Sequence, residues 1–359
     1  MTGGARDDLW QRLVAEGIAR GEPPEAGEPA SPWPVRLMLG AAGWIGALFL
    51  LGFVAVMLEF VFRADGAALP VGAICCAGAY LIFRSAPRNE FVGQFGFATS
   101  LAGQAMMAFG LFSLAGWRTP TVAFFSLAVI QTVLAVVLPN VVHRTWATLT
   151  AIAALHLGCA AVGAFGLATV VAATGAALIG LNEAALARRA SFWRPIGYGF
   201  AIALLHLDLA LIWGRELQGL LWSQTATPPP PWVFWIGPAV TGALFVYTAA
   251  RLLARLAVPR ASAAGATVLA VAGMMALFGL AAPGICAGVL VLVLGFAGGN
   301  RVLMGLGLLA TGGYLSHYYY QLDLTLLAKA AVLAGTGVVL LLARSAVARW
   351  LPAPEAPRA

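Results

Sequence analysis

The chain has 359 residues, of which 61% are apolar and only 10% charged, with a mean hydropathy of +0.89. That composition excludes a soluble globule of this length and leaves no room for a sizeable water-soluble domain. The net charge of +7 is carried almost wholly by arginine, since Lys329 is the single lysine.

Taken in chain order, residues 1–34 read as a short amphipathic helix on a tether. Leu9, Trp10, Leu13, Val14 and Ile18 recur at helical spacing behind Asp7 and Asp8, which are expected to cap and charge the helix start, and residues 21–34 form a Pro/Glu linker. Acidic residues and the lack of an apolar core exclude a signal peptide. The helix rests on the membrane surface or docks on a partner. From residue 35 to 345 apolar runs recur at about 37–62, 68–83, 91–115, 119–138, 145–163, 165–186, 196–214, 232–252, 262–281, 283–298, 302–316 and 324–343. Runs of this kind match a helix crossing about 30 Å of hydrocarbon. Backbone in lipid must satisfy its own hydrogen bonds, and period-two alternation is missing, so helices are expected and a barrel is not. The fold class is all-α, a polytopic transmembrane helix bundle of about twelve spans. The joins at 163–165 and 281–283 carry glycine or proline but no charge, so ten or eleven spans are the alternative. Residues 346–359 form a tail.

Placing the N-terminus inside puts seventeen of the twenty arginines at inner ends and only Arg63, Arg118 and Arg215 outside. Both termini are therefore expected in the cytoplasm. Topology accounts for the basic balance, and a nucleic-acid partner is not expected. Trp117, Trp213, Trp222, Trp232 and Trp235 fall near outer ends and Trp33, Trp44, Trp146, Trp193 and Trp350 near inner ones, as two aromatic belts.

Motifs for chemistry are missing. The sequence has no phosphate-cradling GxxxxGK[ST], no HExxH and no CxxC pair, and GLGLLATGG has the wrong spacing for a dinucleotide site. An enzyme, a cofactor and a metal are not expected. Cys75, Cys76, Cys159 and Cys286 fall within spans and read as small apolar residues. Gly284, Gly288, Gly295 and Gly299 line one face of the tenth run, which is expected to be central in the bundle.

Ionisable residues inside spans are the candidate site residues, because they are costly in hydrocarbon and normally face the bundle interior or water. Helix rise places His156 about 18 Å from Arg144, His206 and Asp208 about 18 and 21 Å from Arg194, and Glu59 about 34 Å from Arg36. Lys329 lies about 9 Å below Asp323 on a helix entering from outside. These depths allow an outer-facing polar cavity lined by Lys329, Asp208, His206 and His156, with Asp323 and Glu59 near its rim. Each residue also has a structural role open to it. Lys329 can snorkel to water or neutralise an acid. Asp323 can cap the final helix, the histidines can bond between helices, and Glu59 can sit at the interface. His206 and Asp208, two apart, point about 200° away from each other on a helix, so any partner must come from another helix. Glu183 reads as a surface ion pair with Arg188 or Arg189. Tyr318, Tyr319 and Tyr320 read as interfacial anchors.

The runs LWQRLVAEGIARGE and SPWPVRLMLGAAGWIGALFLLGF near the start, and GYLSHYYYQLDLTLLAKA at 313–330, resemble the two ends of domain-of-unknown-function family 4401. Tyr320, Leu322, Thr325, Leu326, Leu327 and Lys329 carry its aromatic–Leu–x–x–Thr–Leu–Leu–x–Lys string. The resemblance implies a multi-pass bacterial inner-membrane protein, often encoded beside proteins bearing a GDYXXLXY motif, and such a protein is the implied partner besides the lipid bilayer. It implies no activity and no catalytic residues. An accessory or interaction subunit of an envelope complex is the expected function. The alternative is a proton-coupled carrier of a small solute using the cavity around Lys329.

Overall fold

The structure is a computed structural model that describes residues 3–17, 20–21, 33–57, 66–85, 89–116, 120–222 and 230–321, with isolated positions from 325 to 345. Every regular element among the described residues is helical. In chain order they are α1 (Gly3–Ala15), α2 (Trp33–Met57), α3 (Ala68–Ser85), α4 (Glu90–Ala115), α5 (Thr121–Val137), α6 (Val141–Ala161), α7 (Leu167–Leu181), α8 (Glu183–Leu186), α9 (Ala190–Trp222), α10 (Ile236–Arg255), α11 (Ala263–Ala281), α12 (Ile285–Ala297) and α13 (Arg301–Gln321). Short 3-10 turns at Ala187–Arg189 and Pro231–Trp235 lead into α9 and α10.

Helix starts follow local chemistry. Asn89, Asn140 and Ser262 accept the backbone N–H of Val92, His143 and Gly265, so each satisfies a donor that has no partner within its own helix. At the N-terminus the expectation changes. Helix α1 begins at Gly3, so Asp7 and Asp8 lie within it and do not cap it; Asp8 instead pairs with Arg12 one turn on, at 3.1 Å. Chain breaks occur at both uncharged joins. Gly163 and Gly166 take φ of +77° and +82° between α6 and α7, and Gly284 takes +95° between α11 and α12, conformations that cost a side chain but not glycine.

Among the described residues four stretches are long and apolar enough to cross a membrane: Ala68–Ser85, Phe91–Ala115, Trp232–Arg255 and Ala263–Ala281. A fifth arises if Leu167–Leu181 and Glu183–Leu211, bent by 76° at Asn182, count as one broken span. Helices α5 and α12, expected as spans, have only 17 and 13 residues. At 1.5 Å per residue α12 reaches about 20 Å, short of a bilayer core. The run 165–186 is divided, because α7 stops at Leu181 and the chain turns at Asn182. The last expected run, 324–343, lies outside the described residues except at single positions.

Burial supports a lipid-facing exterior. On α11, the most apolar of the four, little of the helix is buried, and Val268, Val271, Met274, Leu277 and Phe278 are exposed along it. An apolar surface of that size in water would aggregate; in hydrocarbon it is solvated.

Two cores share α6. One joins α3, α4, α5 and α6 around Phe83, Phe97, Leu134, Leu138 and Ala147. The other joins α6, α7, α9, α10, α12 and α13 around Ile152, Leu204, Leu207, Leu290, Val291 and Leu294. Small residues set the spacing of this second core. Ala168, Ala172, Ala173, Ala176 and Ala177 of α7 are all buried. Gly288 and Gly295 of α12 face Thr311, Leu303 and Met304 of α13, at distances that leave no room for a methyl group. Helix α12 touches α7, α9, α10, α11 and α13, so the expected central position of this glycine-lined helix is observed.

The long helix α9 is tied to α6 by an internal proline. Pro195 has no N–H to give to the carbonyl of Ser191, four residues back. Arg144 Nη1 supplies that bond at 3.2 Å, Thr145 Oγ1 donates to the Pro195 carbonyl at 3.0 Å, and the Arg144 guanidinium stacks 4.8 Å over Phe192. Gly199 lets α6 come close at Thr145 and Thr148.

Candidate functional site

Three groups of polar side chains stand out among the described residues of the bundle, and α9 carries parts of two. The first centres on Asp208, which is 2% exposed. Its carboxylate accepts the backbone N–H of Gly284, a donor freed because Gly284 stands at the turn before α12. The thiol of Cys286 and the phenols of Tyr314 and Tyr318 lie within electrostatic reach. Both phenols donate elsewhere, Tyr314 to the Leu205 carbonyl at 2.5 Å and Tyr318 to that of Pro283 at 2.8 Å. Oxygen Oδ1 of Asp208 is fully buried with no hydrogen-bond partner among the described residues. Burying a polar oxygen without a partner costs about 1–3 kcal/mol, and more if it is charged. Such an atom marks a place where a proton, a cation or a donor is accommodated. Tyr318 is thus tied to backbone inside this group, while Tyr320 stays exposed as an anchor would.

Of the other expected residues, the two histidines are described. His206 is exposed and His156 half-buried, and His156 lies within electrostatic reach of His206 across the α6–α9 contact. His206 stands on a different side of α9 from Asp208, as a residue two positions away on a helix must. Lys329, Asp323 and Glu59 lie outside the described residues. Among the described residues no three His, Cys, Asp or Glu side chains group as metal ligands. Cys76, Cys159 and Cys286 are free and buried, Cys75 free and partly so.

A second group sits at the Arg194 end of α9. Glu183 binds Arg194 through Oε1, at 3.0 Å from Nε and 2.7 Å from Nη2. The ion pair expected at Glu183 is present, but its partner is Arg194 and not Arg188 or Arg189. The 3-10 turn Ala187–Arg189 directs the chain back so that the first turns of α9 pass beside Glu183. Arg255, at the end of α10, donates to the carbonyl of Leu181, left without an intrahelical partner where α7 breaks. Tyr198 and Asn300 hydrogen-bond across α9 and the start of α13 at 3.0 Å.

The third group was not anticipated. His143 is fully buried, with Nε2 3.0 Å from Gln104 Nε2, which also donates to Ser100 Oγ at 3.0 Å. The rings of Phe83 and Phe97 meet it edge-on. The apolar runs 119–138 and 145–163 leave His143 between them, so it is not among the candidate residues. The signal that could have placed it in a helix is Asn140, a capping residue three positions earlier.

The sequence model of a family described as "Domain of unknown function (DUF4401)" matches residues 32–350. No curated protein and no solved structure gives a match.

Proposed function

We propose, from the premise that this chain belongs to the DUF4401 family, that it is an integral bacterial inner-membrane protein acting as a proton-coupled carrier of a small solute. The observation that carries the reading is Asp208, wholly buried beside a helix break, with one oxygen lacking any partner among the described residues. Carboxylates inside a bundle, next to discontinuous helices that offer backbone donors, are the groups on which proton and solute movement is commonly built. About twelve spans, with both termini in the cytoplasm, complete the reading; the arginine asymmetry supports it. Lys329 is the charge proposed to complement Asp208.

The test is a stability screen of the purified protein in nanodiscs against amino acids, carboxylates, sugars and nucleosides, followed by uptake of the best hit into proteoliposomes under a pH gradient. Asp208→Asn keeps the shape and an acceptor for Gly284 but removes the proton site, so gradient-driven uptake should be lost while unfolding stays cooperative. A gradient response unchanged in Asp208→Asn and in Lys329→Ala would end the carrier reading.

The second reading is an accessory or interaction subunit of an envelope complex. It is favoured by the want of any catalytic motif in the sequence and by the GDYXXLXY-type partner implied by the family resemblance. Gentle purification from the native membrane followed by mass spectrometry separates the two readings. A stoichiometric small envelope protein supports the subunit, and a chain that emerges alone supports the carrier. We propose no enzymatic activity.

A further inference from the structure

The ion pair at the Arg194 end of α9 borders a cavity of about 280 Å³ between α7, α8, α9, α10 and α12, rimmed by Glu183, Arg194 and Arg255 and otherwise lined by alanine and glycine. Alanine and glycine leave the space open. Gly298 contributes to this, since a methyl group there would collide with Glu183 Oε2. The charged rim holds two guanidinium groups and one carboxylate, so it is net positive by one charge. Each guanidinium has five N–H donors. Among the described residues Arg194 uses Nε and Nη2 on Glu183, and Arg255 uses Nη2 on Leu181. The remaining edges of both forks are available to the cavity. A second recess of about 30 Å³ shares Gly180, Glu183, Ala190 and Arg194 with this cavity and runs along Ile179, Gly197, Val291 and Leu294. That is room for about one water and too little for a hydrocarbon chain, so a ligand must be small or must enter by a compact charged head.

We propose that this cavity binds one oxyanion group, a phosphate or phosphate monoester, held between Arg194 and Arg255, either as a free ion or as the headgroup of an acidic lipid. Planar guanidinium forks match the oxygen spacing of phosphate, and two of them on different helices would bridge the break between α7 and α9 to the end of α10. Basic recesses between helices at a membrane face are suited to such headgroups. Glu183 competes with the ligand for Arg194 and weakens its binding. The site lies about 21 Å along α9 from Asp208, at 1.5 Å per residue, and does not depend on the carrier reading.

The experiment uses the full chain in nanodiscs, with thermal unfolding followed by tryptophan fluorescence. One arm titrates inorganic phosphate against chloride at matched ionic strength in phosphatidylcholine; the other replaces part of the phosphatidylcholine with phosphatidylglycerol and identifies retained lipid by native mass spectrometry. Stabilisation by phosphate supports a free ion, and stabilisation with retained phosphatidylglycerol supports a headgroup. In the responsive arm Arg255→Gln should weaken apparent affinity by roughly tenfold, the loss of a charge-assisted fork, whereas Glu183→Gln should tighten it. Opposite signs from two rim variants would not follow from lost packing. No stabilisation beyond chloride in either arm, or an affinity that neither variant moves, would overturn the proposal.

Discussion

Replacing Gly307 by alanine tests the close approach of α13 to α12 more directly than any other single change. A Cβ added at Gly307 would stand 2.6 Å from Leu292 Cα and 2.8 Å from the Gly288 carbonyl oxygen. Both are backbone atoms of the neighbouring helix and cannot rotate aside. Gly305, two positions earlier on α13, meets nothing within 4 Å. Alanine at either position gains the same helix propensity, up to about 1 kcal/mol, so the difference between the two variants isolates the interhelical contact. Overpacking a well-fitted interface costs about 1–3 kcal/mol, and Gly307→Ala should be less stable than Gly305→Ala by about that amount. Unfolding by sodium dodecyl sulfate from bicelles, followed by tryptophan fluorescence, measures both on one scale. Coincident midpoints for the two variants would refute the close packing of α12 on α13.

Other outcomes follow from single contacts. Arg144→Leu leaves the Ser191 carbonyl, already deprived of its helical donor by Pro195, without protein hydrogen bonds and should lower stability by about 1–3 kcal/mol; an unchanged unfolding midpoint would remove Arg144 from that role. Asn140→Ala removes the cap of α6 and should cost about 1 kcal/mol, with amide exchange at residues 141–144 rising before the rest of the helix. Gln104→Leu strands His143 and should destabilise more than Gln104→Leu combined with His143→Phe; additive effects of the two substitutions in a double-mutant cycle would show that the pair is not coupled.

Much of the architecture is legible in the residues alone. Long apolar runs require helices because backbone in hydrocarbon has no other source of hydrogen bonds, and glycines at 163, 166 and 284 mark where helices must break. The glycine repeat of α12 also announced its place, since a face without side chains is useful only against another backbone. Local pattern was less informative about lengths, because an apolar run does not say where the chain will turn inside it: α7 stops at Leu181 within a run that continues to Leu186. For the polar groups, sequence named the costly residues but not their surroundings. His143 falls between two apolar runs beside an arginine and is fully buried; Glu183 has nearer arginines than the one it binds; and the groups around Asp208, from Gly284 to Tyr318, lie 76 to 110 positions away. Residue type and spacing determine what an element can be, through forces that act within a few turns. Burial and pairing depend on which distant helices are brought against one another, and only the assembled bundle decides that.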